Sequence, residues 1–284
     1  NLQVPVMDAQ EDQGTVAFEL IVSIPSVSPL QVTLSTIDGT AVEGQDFTAL
    51  TSQVVEIPAG VESQFVEVDL VDDNVYELPE QFELTITDVV GGAIGSFPTR
   101  PATIGDNDDI PQVDLLALTV SEPAGPTDVS VTVSLTNPGA WPMDVTIDDI
   151  GNGSATVGTD YVAFAPVTVT VPAFATSVTF PITVNTDAID EPDETVRMEI
   201  TSVSPYGMAN VSIAELTITD DDPQAVVTLG DDIEVLESEG QVLIPVTLDT
   251  PSAFEVQVGL TFVEVTTNSN DFSVQGTVAI FASG

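Results

Sequence analysis

Three chemically reactive residue types are missing from this chain of 284 residues, which has no cysteine, no histidine and no lysine. Without cysteine, disulfides, thiol catalysis and zinc–thiolate sites are excluded. Without histidine, the chain lacks the commonest general base and the commonest transition-metal ligand. Without lysine, it can form neither a Schiff base nor a Ser–Lys dyad. Most of the usual enzyme chemistries are therefore closed to it.

Positive charge is also nearly absent from the chain. Its only basic residues are Arg100 and Arg197, against 46 acidic residues, so the formal net charge is −44 at pH 7. A charge of this sign repels nucleic acid and anionic membranes and attracts cations. No apolar run reaches 18 residues, so we expect no membrane insertion by this segment.

The start of the chain, at Asn1, has neither the charged region nor the apolar stretch of a signal peptide. We therefore expect a mature or excerpted piece of a secreted protein, with any secretion signal outside it. The acidity and the lack of lysine and cysteine favour a bacterial chain, extracellular or at the cell surface, over a cytosolic eukaryotic loop.

Apolar and polar residues alternate along most of the chain, which predicts β-strands with one face in a core and one in water. Gly, Pro, Asn and Asp interrupt the strands at short intervals, as hairpins and Greek-key connections require. No convincing amphipathic helix is present. The sequence therefore predicts an all-β protein made of immunoglobulin-like Greek-key β-sandwiches. Clear alternating segments are 16–22, 66–70, 82–86, 129–135 and 196–200.

An internal repeat organises these sandwiches. The segment "GTAVEGQDFTAL" at 39–50 recurs as "GSATVGTDYVAF" at 153–164, and a third copy begins near residue 224. Several landmarks recur at one offset of 114 residues, which indicates tandem domains of equal size. The pairs are Asp46 and Asp160, Pro58 and Pro172, Glu80 and Glu194, and Asp108 and Asp222. The predicted division is 1–109, 110–223 and 224–284.

The third copy stops at Gly284, at the turn that matches "IPAG" of the first copy. A sandwich without the strands that follow this turn exposes a core face and unpaired strand edges. Either the protein continues past Gly284, or a neighbouring chain supplies the missing strands. We favour continuation, because repeat arrays usually run on.

Acidic residues recur at five places in each full copy, most of them where a strand meets a loop. If these loops share one end of the sandwich, about eight carboxylates converge there in each copy, and like charges a few ångström apart repel by about 1 to 4 kcal/mol per pair. The residues are Glu11, Asp46, Asp72, Asp73, Glu77, Glu80, Asp106 and Asp108 in the first copy, Glu122, Asp160, Asp187, Glu191, Glu194, Asp220, Asp221 and Asp222 in the second, and Glu237 and Asp271 in the third.

A hard divalent cation turns this repulsion into attraction. Calcium takes six to eight oxygen ligands in flexible geometry, whereas magnesium demands a stricter octahedron and keeps waters, so a dense carboxylate cage favours calcium. Any single acid in a turn is more simply a solvated turn residue. A pattern repeated at a fixed offset favours a cation site instead.

The quoted repeats resemble Calx-beta domains, the calcium-binding β-sandwiches of sodium/calcium exchangers and of many extracellular proteins. The matching pieces are "EDQGTVAF", "GTAVEGQDF", "VDDNVYELPEQF" and "TIGDND" in the first copy, and "GTDY", "TDAIDEPDETV" and "TITDDD" in the second. The resemblance covers residues 1 to about 223 well and implies that the acids named above are calcium ligands. Asn107 and Thr186 depart from the acidic pattern and leave the number of ions per copy open.

The terminal acids of each copy lie beside the next copy, with Pro111 and Pro223 in the links. We expect calcium there to stiffen a string of sandwiches into a rod, as a structural unit of an extracellular adhesin, surface fibre or matrix protein. The expected partners are other repeats of the same chain, further copies in a fibre, or a surface ligand. Trp141, flanked by Pro and Gly, is predicted on a loop, as a contact between subunits or a cover for the core edge.

Two other functions compete with the structural role. The domains can serve as calcium sensors that regulate a membrane transporter, which the resemblance to the exchangers implies. A carbohydrate-active enzyme or its accessory module can use two carboxylates, but one Trp and three Tyr offer little for stacking sugars. We therefore expect a protein that is not an enzyme.

Overall fold

The computed structural model describes residues 8–263 and 272–283. Within these residues the regular secondary structure is almost entirely β-strand, and the helical segments there are two short 3-10 turns, Glu11–Gln13 and Glu237–Glu239. No helix in that part of the chain is long and apolar enough to cross a membrane. The strands are β1 Asp8–Gln10, β2 Thr15–Ile21, β3 Leu30–Asp38, β4 Gln53–Ile57, β5 Ser63–Asp69, β6 Glu80–Val90, β7 Thr99–Gly105, β8 Gln112–Leu115, β9 Leu118–Ser121, β10 Thr127–Leu135, β11 Met143–Asp149, β12 Val167–Val171, β13 Ser177–Val184, β14 Glu194–Ser204, β15 Met208–Val211, β16 Ile213–Thr219, β17 Val227–Leu229, β18 Val246–Leu248, β19 Val256–Gly259 and β20 Val278–Phe281.

The first domain consists of strands β1 to β7 in two sheets. One sheet has the order β1-β7-β6-β3-β4, and the other is the antiparallel pair of β2 and β5. Successive strand residues point to opposite faces, so Val16, Phe18 and Leu20 of β2 are buried while their neighbours are not. The core centres on Phe82, whose ring stacks on Phe47 at 4.3 Å and meets the edge of Phe18 at 5.9 Å between centroids.

The second domain repeats this plan with strands β8 to β16. Its larger sheet has the order β12-β11-β14-β16-β9, which is the first domain's order with each strand replaced by its counterpart, and its other sheet is β13-β10-β8-β15. Strands β12, β13, β14 and β16 begin 114 residues after β4, β5, β6 and β7. The predicted all-β fold of tandem sandwiches is confirmed.

The described residues after 223 form two antiparallel strand pairs, β17 with β18 and β19 with β20. Among them Ser252 alone is buried. The 3-10 turn Glu237–Glu239 ends at Gly240 with a φ of 78°, just as the turn Glu11–Gln13 ends at Gly14 with a φ of 75°. The division of the chain into three copies stays a prediction.

Successive copies touch through isolated parallel β-bridges. Tyr76 of the first domain pairs with Gly139 of the second, and Asp190 of the second pairs with Ser252 beyond it. Tyr76 and Asp190 are 114 residues apart, so the same loop of the first and of the second domain contacts the residues that follow that domain. The rod-like arrangement of the whole chain stays a prediction.

Candidate metal centre

A tight turn holds the first carboxylate of the site, Asp46 in the first domain and Asp160 in the second. The backbone N–H of Asp46 donates to the carbonyl of Val42 at 3.1 Å, and Asp46 Oδ2 accepts the N–H of Val42 at 2.6 Å. Gly44 has a φ of 81°, in the left-handed region that favours glycine. The turn recurs around Asp160, where Gly158 has a φ of 89°.

The carboxylate at the start of β6 reaches this turn because two strands approach closely. The N–H of Ala41 donates to the carbonyl of Gln81 at 2.9 Å, and a Cβ atom on Gly39 would collide with the same oxygen. Only glycine lets the chain pass this close to β6, whose first residue is Glu80. The second domain repeats the arrangement with Gly153, Ala155 and Thr195.

Three carboxylates of each domain form what we call the inner cluster: Asp46, Glu77 and Glu80 in the first domain, and Asp160, Glu191 and Glu194 in the second. In each cluster one oxygen from every member lies within 4.8 Å of the others. Corresponding members are 114 residues apart. Each cluster lines a cleft at one end of its sandwich.

The inner clusters hold carboxylates whose pKa lies far above the ordinary 4.5 of glutamate. Burial raises the pKa of Glu77 to about 8, and the charges of Asp46 and Glu80 add to the rise. Burial also raises the pKa of Glu80 to about 7, with Asp46 as its charged neighbour. For Glu194, burial and a hydrogen bond with Asp160 raise the pKa to about 8. At neutral pH these clusters retain protons, which a metal ion would displace.

A second trio in each domain forms the outer cluster: Glu11, Asp106 and Asp108 in the first domain, and Glu122, Asp187 and Asp222 in the second. In this cluster too, one carboxylate oxygen from each residue lies within 4.8 Å of those of the other two. The two trios do not match position for position, because Asp187 corresponds in the repeat to Asp73. The repeat therefore preserves the outer site less strictly than the inner one.

In the first domain the outer cluster surrounds the buried side chain of Glu11. Its Oε1 accepts the N–H of Asn107 at 3.4 Å, while Asp106 Oδ2 accepts the N–H of Glu77 at 3.0 Å. Burial raises the pKa of Glu11 to about 7, the bond from Asn107 lowers it, and the charges of Asp106 and Asp108 raise it further. The bond to Glu77 connects this cluster directly to the inner one.

In the second domain the outer cluster is closed by a different backbone contact. Glu122 Oε1 accepts the N–H of Asp187 at 2.8 Å, and Asp187 Oδ1 accepts the N–H of Ile189 at 2.9 Å. Burial raises the pKa of Glu122, the bond from Asp187 lowers it, and the charges of Asp187 and Asp222 raise it. The loop between β13 and β14, which we call the acid loop together with its counterpart between β5 and β6, thus supplies both a ligand candidate and the donor that holds Glu122.

One carboxylate oxygen of each outer cluster is buried without a partner. Among the described residues, Asp108 Oδ2 and Asp222 Oδ2 are shielded from solvent and accept no hydrogen bond. These atoms occupy the same position of the repeat. A buried carboxylate oxygen is costly unless a hydrogen bond or a cation satisfies it. Both domains therefore leave the same oxygen available to a cation.

Twelve of the eighteen predicted ligands lie in these four clusters. Asp73 lies near Glu11 and Glu77, and Asp72 acts only as a charged neighbour of Asp108. Asp220 lines the second cleft and, with Asp221, lies near Asp222. The side chain of Glu237 and all of Asp271 lie outside the described residues. Metal binding by all eighteen residues stays a prediction.

Two kinds of site residue were not foreseen from the sequence. Asn185 lines the second cleft, and its side-chain amide donates to the carbonyl of Gly158 at 3.3 Å. Its position directly after β13, at the head of the acid loop, was a signal for it. The apolar walls of the clefts carried no such signal and consist of Leu78 and Ile104 in the first domain and Pro192 and Ile218 in the second.

The donor set fits a hard divalent cation. Every side-chain ligand candidate in the four clusters is a carboxylate, and oxygen-only coordination is typical of calcium and magnesium. Burial and neighbouring carboxylates raise the pKa of Glu77 and Glu194, and one oxygen each of Asp108 and Asp222 accepts no hydrogen bond, so a bound cation would stabilise both kinds of group. The fold and the site define a β-sandwich protein with two candidate cation clusters in each domain.

The chain belongs to the Calx-beta family. A sequence profile described as "Calx-beta domain" matches residues 1–104 and 105–222, which together span more than half of the chain. Calx-beta domains bind calcium and are not catalytic. No curated protein sequence matches the chain.

Several solved structures are similar to the chain. The structure titled "Crystal structure of CBD12 from CALX1.2" has 17% sequence identity and a TM-score of 0.35, and the match covers 75% of this chain and 96% of that one. The calcium binding domain CBD12 of CALX1.1 has 15% identity and a TM-score of 0.36, with 74% and 96% covered. The apo form of the Calx CBD1 domain has 25% identity and a TM-score of 0.33, with 36% and 90% covered.

Proposed function

We propose that the first and second domains bind calcium at their inner and outer clusters and that the chain acts as a calcium sensor. The observation that carries this proposal is the pair of buried, unpartnered oxygens on Asp108 and Asp222, at the same position of the repeat. A calcium ion would supply the missing partner for each oxygen and would offset the repulsion among its carboxylate neighbours.

The charge state of the clusters supports a sensor rather than a passive site. A sensor requires two states whose free energies respond differently to the ligand. Without calcium, burial holds the pKa of Glu77 and of Glu194 at about 8, so these carboxyls are largely protonated at neutral pH. Calcium replaces the protons with a divalent charge, which changes the electrostatics of the acid loop. Regulation of a membrane transporter is the role of this kind that the family resemblance implies.

A second candidate role is a structural repeat of an extracellular adhesin, surface fibre or matrix protein. The bridges from Tyr76 to Gly139 and from Asp190 to Ser252 favour it, because they join successive copies through the same loop. The net charge of −44 and the absence of cysteine and lysine support an extracellular location. Light scattering would separate the roles, since a fibre unit self-associates when calcium is added and a sensor stays monomeric.

Equilibrium dialysis of the full chain against calcium tests the shared part of both roles. We expect saturable binding of at least two ions per chain, one in each domain. A variant with Glu77→Gln, Glu80→Gln, Glu191→Gln and Glu194→Gln should lose the ions of the inner clusters. Glu67→Gln, which removes an exposed carboxylate from the middle of β5, is the matched control and should bind as the wild type does. Equal binding by the fourfold variant and the wild type would refute the assigned clusters.

A further inference from the structure

The acid loop that carries Glu77 is held by the second domain through its backbone. The N–H of Tyr76 donates to the carbonyl of Pro138 at 2.9 Å, and the N–H of Ala140 donates back to the carbonyl of Tyr76 at 3.1 Å. These two bonds flank the parallel bridge between Tyr76 and Gly139. We call residues 137–141 the clasp loop.

Aromatic rings close the same contact. The ring of Tyr206 lies 5.4 Å from that of Tyr76 and 6.1 Å from that of Trp141, between centroids. The hydroxyl of Tyr206 donates to the carbonyl of Trp141 and accepts the N–H of Trp141 at 3.2 Å. A Cβ atom on Gly139 would overlap the Tyr206 ring, so the ring lies directly against the backbone of the clasp loop. The ring of Trp141 contacts Tyr206 inside the second domain, and the neighbouring Ala140 makes the backbone bond to Tyr76 of the first domain.

The clasp loop is anchored on both sides. Inside the second domain, the N–H of Phe174 donates to the carbonyl of Gly139 at 2.9 Å. Towards the first domain, the side-chain amide of Asn137 donates to the carbonyl of Asp109 at 2.8 Å, directly after the terminal acids. The loop therefore holds both the acid loop and the terminal run of the first domain.

Tyr76 lies between groups that belong to the candidate metal site. It directly precedes Glu77, whose side chain belongs to the inner cluster and whose N–H donates to Asp106 of the outer cluster at 3.0 Å. On its other side, the N–H of Val75 donates to Asp73 at 2.7 Å. A clamp at Tyr76 therefore limits where Glu77 and Asp106 can move.

We propose that the second domain positions the calcium ligands of the first domain through the clasp loop and Tyr206. The inference rests on the proposed calcium binding. It adds that the calcium affinity of the first domain depends on the domain that follows it. Pre-ordering of a loop removes part of the cost of ordering it on binding. By linkage, calcium in the first domain then tightens the clasp by the same factor.

The contact between the second domain and the residues that follow it resembles the clasp but has fewer interactions. Asp190, which directly precedes Glu191, accepts one backbone bond, from Ala253 at 3.0 Å. Its carboxylate accepts the hydroxyl of Ser252 at 3.2 Å in place of an aromatic contact. One backbone bond and a hydroxyl restrain the loop less than two backbone bonds and a ring cluster. Coupling is therefore stronger at the first junction.

The chain provides its own probe, because Trp141 is its single tryptophan. Calcium titrations of the full chain, followed by calorimetry and by Trp141 emission, should use a Glu191→Gln, Glu194→Gln background, which disables the inner cluster of the second domain and keeps that of the first. We expect Trp141 emission to change with the midpoint of ion binding. Tyr206→Ala should weaken that binding by about fivefold or more. Tyr206→Phe, which keeps the ring, should weaken it less.

A second variant and a second background guard against misfolding of the second domain. Tyr76→Ala removes the opposing ring without altering that domain and should also weaken binding in the first. In a Glu77→Gln, Glu80→Gln background, Tyr206→Ala should leave the affinity of the second inner cluster unchanged, which also shows that the second domain is folded.

The outcomes separate the two proposals. If the first cluster binds calcium equally well in the wild type, Tyr206→Ala and Tyr76→Ala chains, the clasp is overturned while calcium binding stands. If neither background binds calcium, the proposed function falls and the inference falls with it.

Discussion

The inner and outer clusters differ in how faithfully the repeat preserves them. Asp46, Glu77 and Glu80 recur as Asp160, Glu191 and Glu194, member for member. The outer clusters share only two positions and replace Asp106 with Asp187 as the third member. The inner cluster takes one residue from a hydrogen-bonded turn, one from the start of a central strand and one, Glu77 or Glu191, from the loop that leads into that strand. The outer cluster draws on loops and on residues beyond the last strand, where geometry drifts more easily.

The hydrophobic cores of the two domains also differ, in the side chains that pack behind the ligand turn. At the position of Phe47 the second domain has Tyr161, whose hydroxyl donates to Asp149 at 2.6 Å. At the position of Phe82 it has Val196. The first domain thus supports its ligand turn with stacked rings, and the second with a smaller side chain and a hydrogen bond. The matching inner clusters of the two domains are therefore supported by different core side chains. Substitutions in the two cores can test whether this difference affects stability.

The largest expected effect concerns these cores. Phe82→Ala removes a fully buried ring that packs on two others, and should lower the unfolding free energy of the first domain by about 3 to 5 kcal/mol. Val196→Ala at the matching position should cost the second domain only about 2 kcal/mol. Calorimetric unfolding of the full chain measures both. Equal losses in the two domains would show that the cores are equivalent after all.

The next effect concerns the inner clusters. Glu80→Gln should lower the calcium affinity of the first domain by about 5- to 1000-fold, because one unit of charge at about 4 Å contributes about 1 to 4 kcal/mol. Glu194→Gln should do the same to the second domain, since the two clusters correspond. Titration calorimetry reports each domain separately in these variants. A large loss in one domain and none in the other would break the correspondence.

The pH dependence of the calcium-free chain should be alike in both domains. Glu77 and Glu194 have a pKa of about 8 in the fold, against an ordinary value of 4.5. Between these values the folded state binds the proton more tightly than the unfolded state does, so the unfolding free energy falls as pH rises from about 5 to 8. Melting temperatures in chelator across this range measure it. A rise of stability with pH would show that these carboxyls are already ionised in the fold.

The smallest expected effect is a change in the calcium affinity of the outer clusters. Asn107 interrupts the terminal acids of the first domain, whereas Asp221 holds that place in the second. Asn107→Asp should raise the calcium affinity of the first outer cluster by only about fivefold, since an exposed charge gains about 1 kcal/mol. Asp221→Asn is the reciprocal control and should lower the second domain's affinity by a similar factor. Unchanged affinities in both variants would place this position outside the outer cluster.

The sequence predicted the strands and the convergence of the acids for physical reasons. Alternation with period two sets which side chains face the core, and Phe18 and Leu84 are buried as it requires. The offset of 114 residues predicted that Glu80 and Glu194 would occupy matching places. Both inferences depend only on the order of residue types along the chain, which can be read without knowing the fold.

The division into two clusters could not be predicted in the same way. Asp106 reaches Glu11 because β7 pairs in parallel with β1, a contact between distant parts of the chain. The clasp on Tyr76 was also out of reach, because its bonds to Pro138 and Ala140 are made by backbone atoms. Backbone contacts between residues more than 60 positions apart leave no signature in residue type. The sequence therefore predicted a role for the junction between the domains but not the contacts that form it.

Calorimetric unfolding of the full chain in calcium, in magnesium and in chelator shows whether both domains bind calcium. The unfolding free energy of both domains should rise in calcium, by about 1.4 kcal/mol per occupied site at tenfold excess over Kd. The rise should be smaller in magnesium, which fits a flexible carboxylate cage less well. Unfolding transitions at the same temperature in calcium and in chelator, for both domains, would show that neither domain binds calcium.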